Sequence, residues 1–120
     1  MAALLAPCPS SPNCVSTVAQ DKRHCMSPIL FRGPAEEAQE RLRRIIKGMA
    51  RATITADRPG HLAASFRSRV FGFVDDAEFV VDGEKGEIHF RSAARTGYYD
   101  FGVNRSRMES IARQFGEDRR

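Results

Sequence analysis

Apolar residues recur at helical spacing in two segments of the chain, one before its middle and one near its carboxyl end. The first segment opens with Pro34, which suits a first helical turn, and its apolar positions continue to Met49. The second is predicted to start near Asn104 or Ser106, because Ser106 and Glu109 have the spacing of a capping box. Each helix is expected to bury one apolar stripe against the rest of the domain.

Between the two helices, four short segments alternate polar and apolar residues, as half-buried β-strands do. Turn-forming residues at positions 57–60 and 83–86 separate neighbouring segments. Connections this short favour antiparallel pairing, because a parallel pair needs a long crossover. The predicted strands cover residues 52–56, 61–70, 77–82 and 87–92.

Residues 1–33 are rich in proline and other turn formers, so they are predicted to form an irregular arm that packs along the domain. Residues 34–116 form the predicted α+β domain, and residues 117–120 form a charged tail. The predicted fold is therefore α+β, with a four-stranded antiparallel meander and two main helices packed on one face.

The composition fits one globular domain. The chain has 120 residues, of which 42% are hydrophobic and 28% are charged, and this excludes a disordered chain. Its formal net charge is +4, and 16 of its 19 basic residues are arginine, the residue that forms forked contacts to carboxylates and phosphates. This excess indicates bound anions or internal ion pairs. No nucleic-acid-binding motif is present, so nucleic acid is not an expected partner.

The chain has no apolar run long enough to span a membrane. Its first residues lack the charged region and the extended apolar stretch of a signal peptide. From this opening we expect a soluble protein in the cytoplasm.

Charged residues gather on the later predicted strands and their connections. Arg67 comes late in the second strand, Glu78 lies in the third and Arg91 in the fourth, so these three are expected to form a plus-minus-plus row on one face. Such a row is either a set of surface ion pairs or the lining of a polar cleft that holds an anionic group. The predicted ligand-binding residues are Arg67, Arg69, Asp75, Asp76, Arg91, Arg95, Tyr98, Asp100 and Asn104.

Motifs for catalysis are scarce. The sequence has no G-x-S-x-G, no phosphate-binding loop and no dinucleotide fingerprint. The preferred function is thus a non-enzymatic binding or accessory module for a small anion, a lipid head group or an acidic protein surface, with no cofactor. One alternative is a small hydrolase or transferase that uses the carboxylates of Asp75 and Asp76. Another is a structural subunit of a larger assembly, with an exposed apolar patch formed by Leu4, Leu5 and the amino-terminal arm.

The cysteines leave two interpretations open. Cys8, Cys14 and Cys25, with His24, lack the spacing of structural zinc sites, so no metal is expected. A disulfide between Cys8 and Cys14 would fit an oxidising compartment. In a reducing compartment Cys14 would instead act as a small buried apolar residue.

Three segments resemble the signatures of one known family. They are residues 8–16 (CPSSPNCVS), residues 66–79 (FRSRVFGFVDDAEF) and residues 91–105 (RSAARTGYYDFGVNR). In this order they resemble the family catalogued as domain of unknown function 1499, over roughly residues 8–115. The resemblance implies no particular activity. It implies a hydrophobic leader in many members, a feature from which the opening of this chain departs.

Overall fold

In the computed structural model, which describes residues 5–69, 72–97 and 99–117, two helices pack on one face of a six-stranded sheet. The α+β prediction is therefore confirmed. The elements are β1 (Cys14–Ser16), β2 (Ile29–Leu30), α1 (Ala35–Lys47), β3 (Ala52–Arg58), β4 (His61–Arg67), β5 (Val74–Asp82), β6 (Glu87–Ala94) and α2 (Val103–Glu117).

The sheet has the strand order β1-β6-β5-β4-β3, with β2 also paired to β6. Its four long strands form the predicted antiparallel meander, but the prediction of a four-stranded sheet is wrong by two strands. Both extra strands come from the arm that was predicted to be irregular, and both pair antiparallel with β6. They are only three and two residues long, too short for a visible alternation, and they satisfy backbone groups that an edge strand would leave unpaired.

Helix α1 has the charge order that stabilises a helix dipole. Glu36 and Glu37 lie in its first turn, and Arg44 and Lys47 lie in its last turn. Its buried Gln39 donates from Nε2 to the Arg58 carbonyl at 2.8 Å, and Gln39 Oε1 accepts from the Gly60 amide at 2.9 Å. These contacts fix α1 against the β3–β4 turn.

The core lies between the helices and one face of the sheet. Phe79 on β5 and Phe90 on β6 are opposite each other in register, and both are fully buried, as is Phe115 of α2. Because side chains alternate along a strand, the residues between these core positions point to the opposite face. Both helices of the described residues pack on the core side of the sheet, so we call the opposite face the open face.

A β-bulge at Thr55 sets the register of the open face. The pairing of β3 with β4 shifts between Ile54 and Ala56, so Ile54 lies opposite Ala64. As a result Thr53 lies opposite Ser65, and both belong to the open face.

Helix α2 begins at Val103, and the capping box predicted at Ser106 is wrong because Ser106 already lies inside the helix. Asp100 occupies the capping role. Its Oδ2 accepts from the Asn104 amide at 3.1 Å, and its Oδ1 accepts from the Gly102 amide at 2.9 Å. None of the helices in the described ranges is long and apolar enough to cross a bilayer.

Candidate functional site

Three arginines meet at one end of the open face, where β4 ends and β5 begins. Arg51 comes from the α1–β3 connection, Arg67 is the last residue of β4, and Arg95 directly follows β6. They line a cavity of about 260 Å³, which we call the arginine pocket. Among the described residues, its lining consists of Arg51, Ala52, Thr53, Ser65, Arg67, Val74 and Arg95.

Each guanidinium of the pocket is held by an acceptor. Arg51 Nε donates to the Arg67 carbonyl at 3.1 Å, and Arg67 Nη1 donates to the Gly72 carbonyl at 3.1 Å. Arg95 binds Asp76 through two bonds, of 2.9 Å from Nε and 2.7 Å from Nη2. A guanidinium carries five N–H donors, so these bonds orient the groups and leave other donors available to a ligand.

The pocket has a net positive charge. Its three arginines face one carboxylate, that of Asp76, and hydroxyls of Thr53 and Ser65 complete the polar lining. The hydrogen bonds that Arg95 donates to Asp76 raise the pKa of Arg95, so that guanidinium stays charged. Positive charge, oriented N–H donors and hydroxyl donors together suit a phosphate or a carboxylate.

A second cavity lies beside the first on the open face. It has a volume of about 430 Å³ and is lined by His61, Glu78, Arg91, Arg58 and Asp76 among others, and we call it the histidine basin. Asp76 lines this basin and also binds Arg95, so the two cavities are neighbours.

The histidine basin contains two buried nitrogen atoms without a hydrogen-bond partner, His61 Nδ1 and Arg91 Nε. In the described part of the chain these are the only buried side-chain polar atoms of that kind. His61 Nε2 lies 2.9 Å from Glu78 Oε2, and Arg91 Nη2 has a long contact of 3.4 Å to the Pro7 carbonyl. An unsatisfied buried polar atom costs about 1–3 kcal/mol, so each is a polar group that a ligand or water can satisfy.

The structure places some predicted site residues together. Arg67 and Arg95 line the arginine pocket, Asp76 links it to the histidine basin, and Arg91 lines that basin. Arg67, Glu78 and Arg91 all lie on the open face, as predicted, but they do not form one row. Glu78 lies opposite Ala63 and Arg91, whereas Arg67 lies opposite Val74, farther along β4.

Other predicted residues are on the opposite face of the sheet. Asp75 precedes Asp76 in β5, so the two carboxylates point to opposite faces. Asp75 binds Arg107 of α2 at 2.9 Å, and both side chains are 13% exposed. Asn104 is fully buried and accepts from Ser92 Oγ at 2.6 Å, while Asp100 caps α2. These residues join α2 to the sheet.

The remaining predicted residues are Arg69 and Tyr98. Arg69 is exposed in the β4–β5 connection and lines neither cavity. Tyr98 lies outside the described residues.

Sequence reasoning missed Arg51, Thr53 and Ser65 as pocket residues. Counting back from the two-residue turn between Arg58 and His61 would place Thr53 opposite Phe66, because the bulge gives no visible signal. For Arg51, the only signal in the sequence was the general excess of arginine. The backbone of Arg51 is left-handed, with φ of 58°.

The cysteine region contains a disulfide between Cys8 and Cys14, with Cα atoms 5.8 Å apart. Cys25 is free and exposed, and the buried His24 contacts Asp21 and the Ser11 carbonyl. The four candidate soft ligands are thus not gathered into one site. Within the described ranges, no group of three or more metal-binding side chains is present.

Comparison with known proteins gives one match. The model of the family described as "Protein of unknown function (DUF1499)" matches residues 4–115. No curated protein and no solved structure matches the chain. Since the family match covers nearly the whole chain, and the three signature segments lie within it, the protein belongs to the DUF1499 family.

Proposed function

We propose that the protein is a non-enzymatic binding module whose open face holds an anionic group, a phosphate or a carboxylate. The observation that carries the proposal is the arginine pocket, in which Arg51, Arg67 and Arg95 line one cavity together with two hydroxyl side chains. The histidine basin beside it extends the polar surface available to a ligand.

The hydrogen-bond partners of the three pocket arginines support anion binding rather than simple ion pairing. Of the three guanidiniums, only Arg95 is paired with a carboxylate of the described residues, and Arg51 and Arg67 donate to backbone carbonyls. Two positive charges at one cavity thus lack a carboxylate partner there. Holding like charges together costs energy that an incoming anion can offset.

The geometry favours this function over a hydrolase or transferase that uses both aspartates. Asp75 and Asp76 point to opposite faces, so they cannot act on one substrate group. Each also binds an arginine, Arg107 and Arg95 respectively. The other alternative, a structural subunit, relied on Leu4 and Leu5. Leu5 is buried and Leu4 lies outside the described residues.

The cellular compartment of the protein is not yet known. A cytoplasmic location, expected from the sequence, stays a prediction. The Cys8–Cys14 disulfide supports a compartment in which disulfides persist. The redox state of these two cysteines, trapped by alkylation in cells, distinguishes the two locations.

Isothermal titration calorimetry with inorganic phosphate and with acetate tests the binding proposal. We expect saturable binding of at least one of these probes to the wild type, and a loss of at least about tenfold in affinity in Arg51→Ala and Arg67→Ala, since charged hydrogen bonds contribute about 1.5–3 kcal/mol. The matched control is Arg113→Ala, which removes the same charge from an exposed position on α2.

Circular dichroism and thermal unfolding establish that each variant is folded. Equal affinities in the wild type, the two pocket variants and the control would contradict the proposal, as would the absence of saturable binding by the wild type.

A further inference from the structure

Large exposed apolar side chains are concentrated at the end of the sheet that carries the arginine pocket. Five such residues occur in the described ranges. Three of them lie in the β4–β5 and β6–α2 connections, and a fourth is the first residue of α2. The fifth, Leu30, lies on β2. The four are Phe73 (60% exposed), Tyr99 (60%), Phe101 (83%) and Val103 (45%), and we call them the aromatic tip.

The two connections are neighbours because the start of β5 pairs with the end of β6. The Arg95 amide donates to the Val74 carbonyl at 2.9 Å, directly next to Phe73. The β4–β5 connection is closed by Ser68, whose amide donates to the Phe73 carbonyl at 2.7 Å and whose Oγ accepts from the Phe73 amide at 2.9 Å. Phe73 is thus presented by a hydrogen-bonded loop.

Phe101 is held outward by an unfavourable backbone. Its φ is 57°, a left-handed conformation that is rare for a bulky residue. Its ring packs on that of Tyr99, with centroids 4.9 Å apart. Asp100 before it and Gly102 after it are fixed by the cap of α2, so the cap holds the most exposed ring of the tip.

Arginines flank the aromatic tip. Arg67 and Arg95 belong to the arginine pocket, and Arg69 is exposed in the same connection as Phe73. The nearby carboxylates are engaged, since Asp75 binds Arg107 and Asp100 caps α2. Aromatic rings prefer the interfacial region of a bilayer, and each arginine near an anionic bilayer adds attraction.

We propose that the aromatic tip docks on the surface of a bilayer that contains anionic lipids. In this arrangement the rings enter the interfacial region, and the arginine pocket binds the phosphate of a lipid. The second part rests on the proposed function of that pocket. Charge complementarity argues for this occupant, because exposed rings and cationic guanidiniums lie at one end of the molecule.

Vesicle co-sedimentation tests the docking proposal. The probes are vesicles of phosphatidylcholine alone and vesicles that also contain phosphatidylglycerol. We expect binding to the second kind only, and a loss of at least about tenfold in Phe73→Ser/Phe101→Gly, because the variant lacks the two rings that would bury apolar surface in the bilayer. Glycine suits the left-handed backbone at position 101, so the Phe101→Gly change removes the ring without adding strain. Leu30→Thr, on β2, is the control for loss of an exposed apolar side chain.

The same proteins are titrated with inorganic phosphate, which separates the two proposals. If the protein binds phosphate but not vesicles, or if the double variant binds vesicles as well as the wild type does, the docking proposal is overturned and the anion pocket remains supported. Vesicle binding that the double variant loses, without phosphate binding, supports docking and counts against the pocket. Equal binding to both kinds of vesicle overturns the requirement for anionic lipid.

Discussion

Asp57 shows how one side chain joins the sheet to a helix. It lies on the edge strand β3, opposite Leu62, and accepts hydrogen bonds from Arg43 and Gln39 of α1. The hydrogen bond from Arg43 lowers the pKa of Asp57 from its ordinary 3.8, with Gln39 adding to this effect and burial opposing it. The folded state therefore favours the ionised carboxylate more than the unfolded state does.

This shift predicts a pH dependence of stability. A lowered folded-state pKa gives stabilisation that is present above pH 3.8 and is lost as the pH falls below that value. We expect Asp57→Asn to lower the free energy of unfolding by about 1 kcal/mol at neutral pH, with the difference from wild type shrinking below about pH 4. Urea unfolding from pH 3 to pH 7 measures it. Glu84→Gln, at the exposed β5–β6 turn, is the control, and a difference for Asp57→Asn that stays constant with pH would refute the explanation.

Asn104 and Asp100 show why residue types alone misled the site prediction. Both were grouped with the ligand-binding residues because polar side chains cluster in their loop. Asn104 is instead fully buried, and its side chain contacts Ser92, Asp100 and Arg107. A sequence shows that a polar residue is present, but it does not show whether that residue faces solvent. Here the answer depends on where α2 starts, and capping by Asp100 fixes that start at Val103.

The amino-terminal arm is attached to the sheet by strand pairing and by a disulfide. Cys14 in β1 lies opposite Ala93 of β6, and its disulfide to Cys8 ties the preceding residues to that strand. The sequence left the disulfide as one of two interpretations. It could not predict the pairing of β1 with β6, because a three-residue strand has no periodicity and its partner is far away in the chain.

Breaking the disulfide is expected to destabilise the fold. For a sequence separation of 6, the loop-closure relation gives a contribution of about 2 kcal/mol to the free energy of unfolding. Cys8→Ser should lose that amount and become insensitive to reducing agent, while wild type should lose it only when reductant is added. The control Cys25→Ser changes the exposed free thiol and should match wild type. A Cys8→Ser variant as stable as oxidised wild type would rule out this contribution.

In the molecule as a whole, apolar periodicity was sufficient to predict the four long strands and the two helices, but not the short strands β1 and β2. The alternation in four segments and the stripes of two helices led to the antiparallel meander with helices on one face. Periodicity did not predict which side chains meet on the surface. The arginine pocket depends on the bulge at Thr55, on the length of β4 and on the α1–β3 connection, and none of these has a local pattern in the sequence.

Side-chain NMR observes anion binding at the arginine pocket on the guanidiniums themselves. Signals of the arginine Nε–Hε groups are followed while inorganic phosphate is added at constant ionic strength. If the pocket binds an anion, we expect saturable shifts for Arg51, Arg67 and Arg95, which line it, and no saturable shift for Arg113 on α2. Shifts of equal size for Arg113 and the pocket arginines, or no saturable shift in the pocket, would contradict anion binding there.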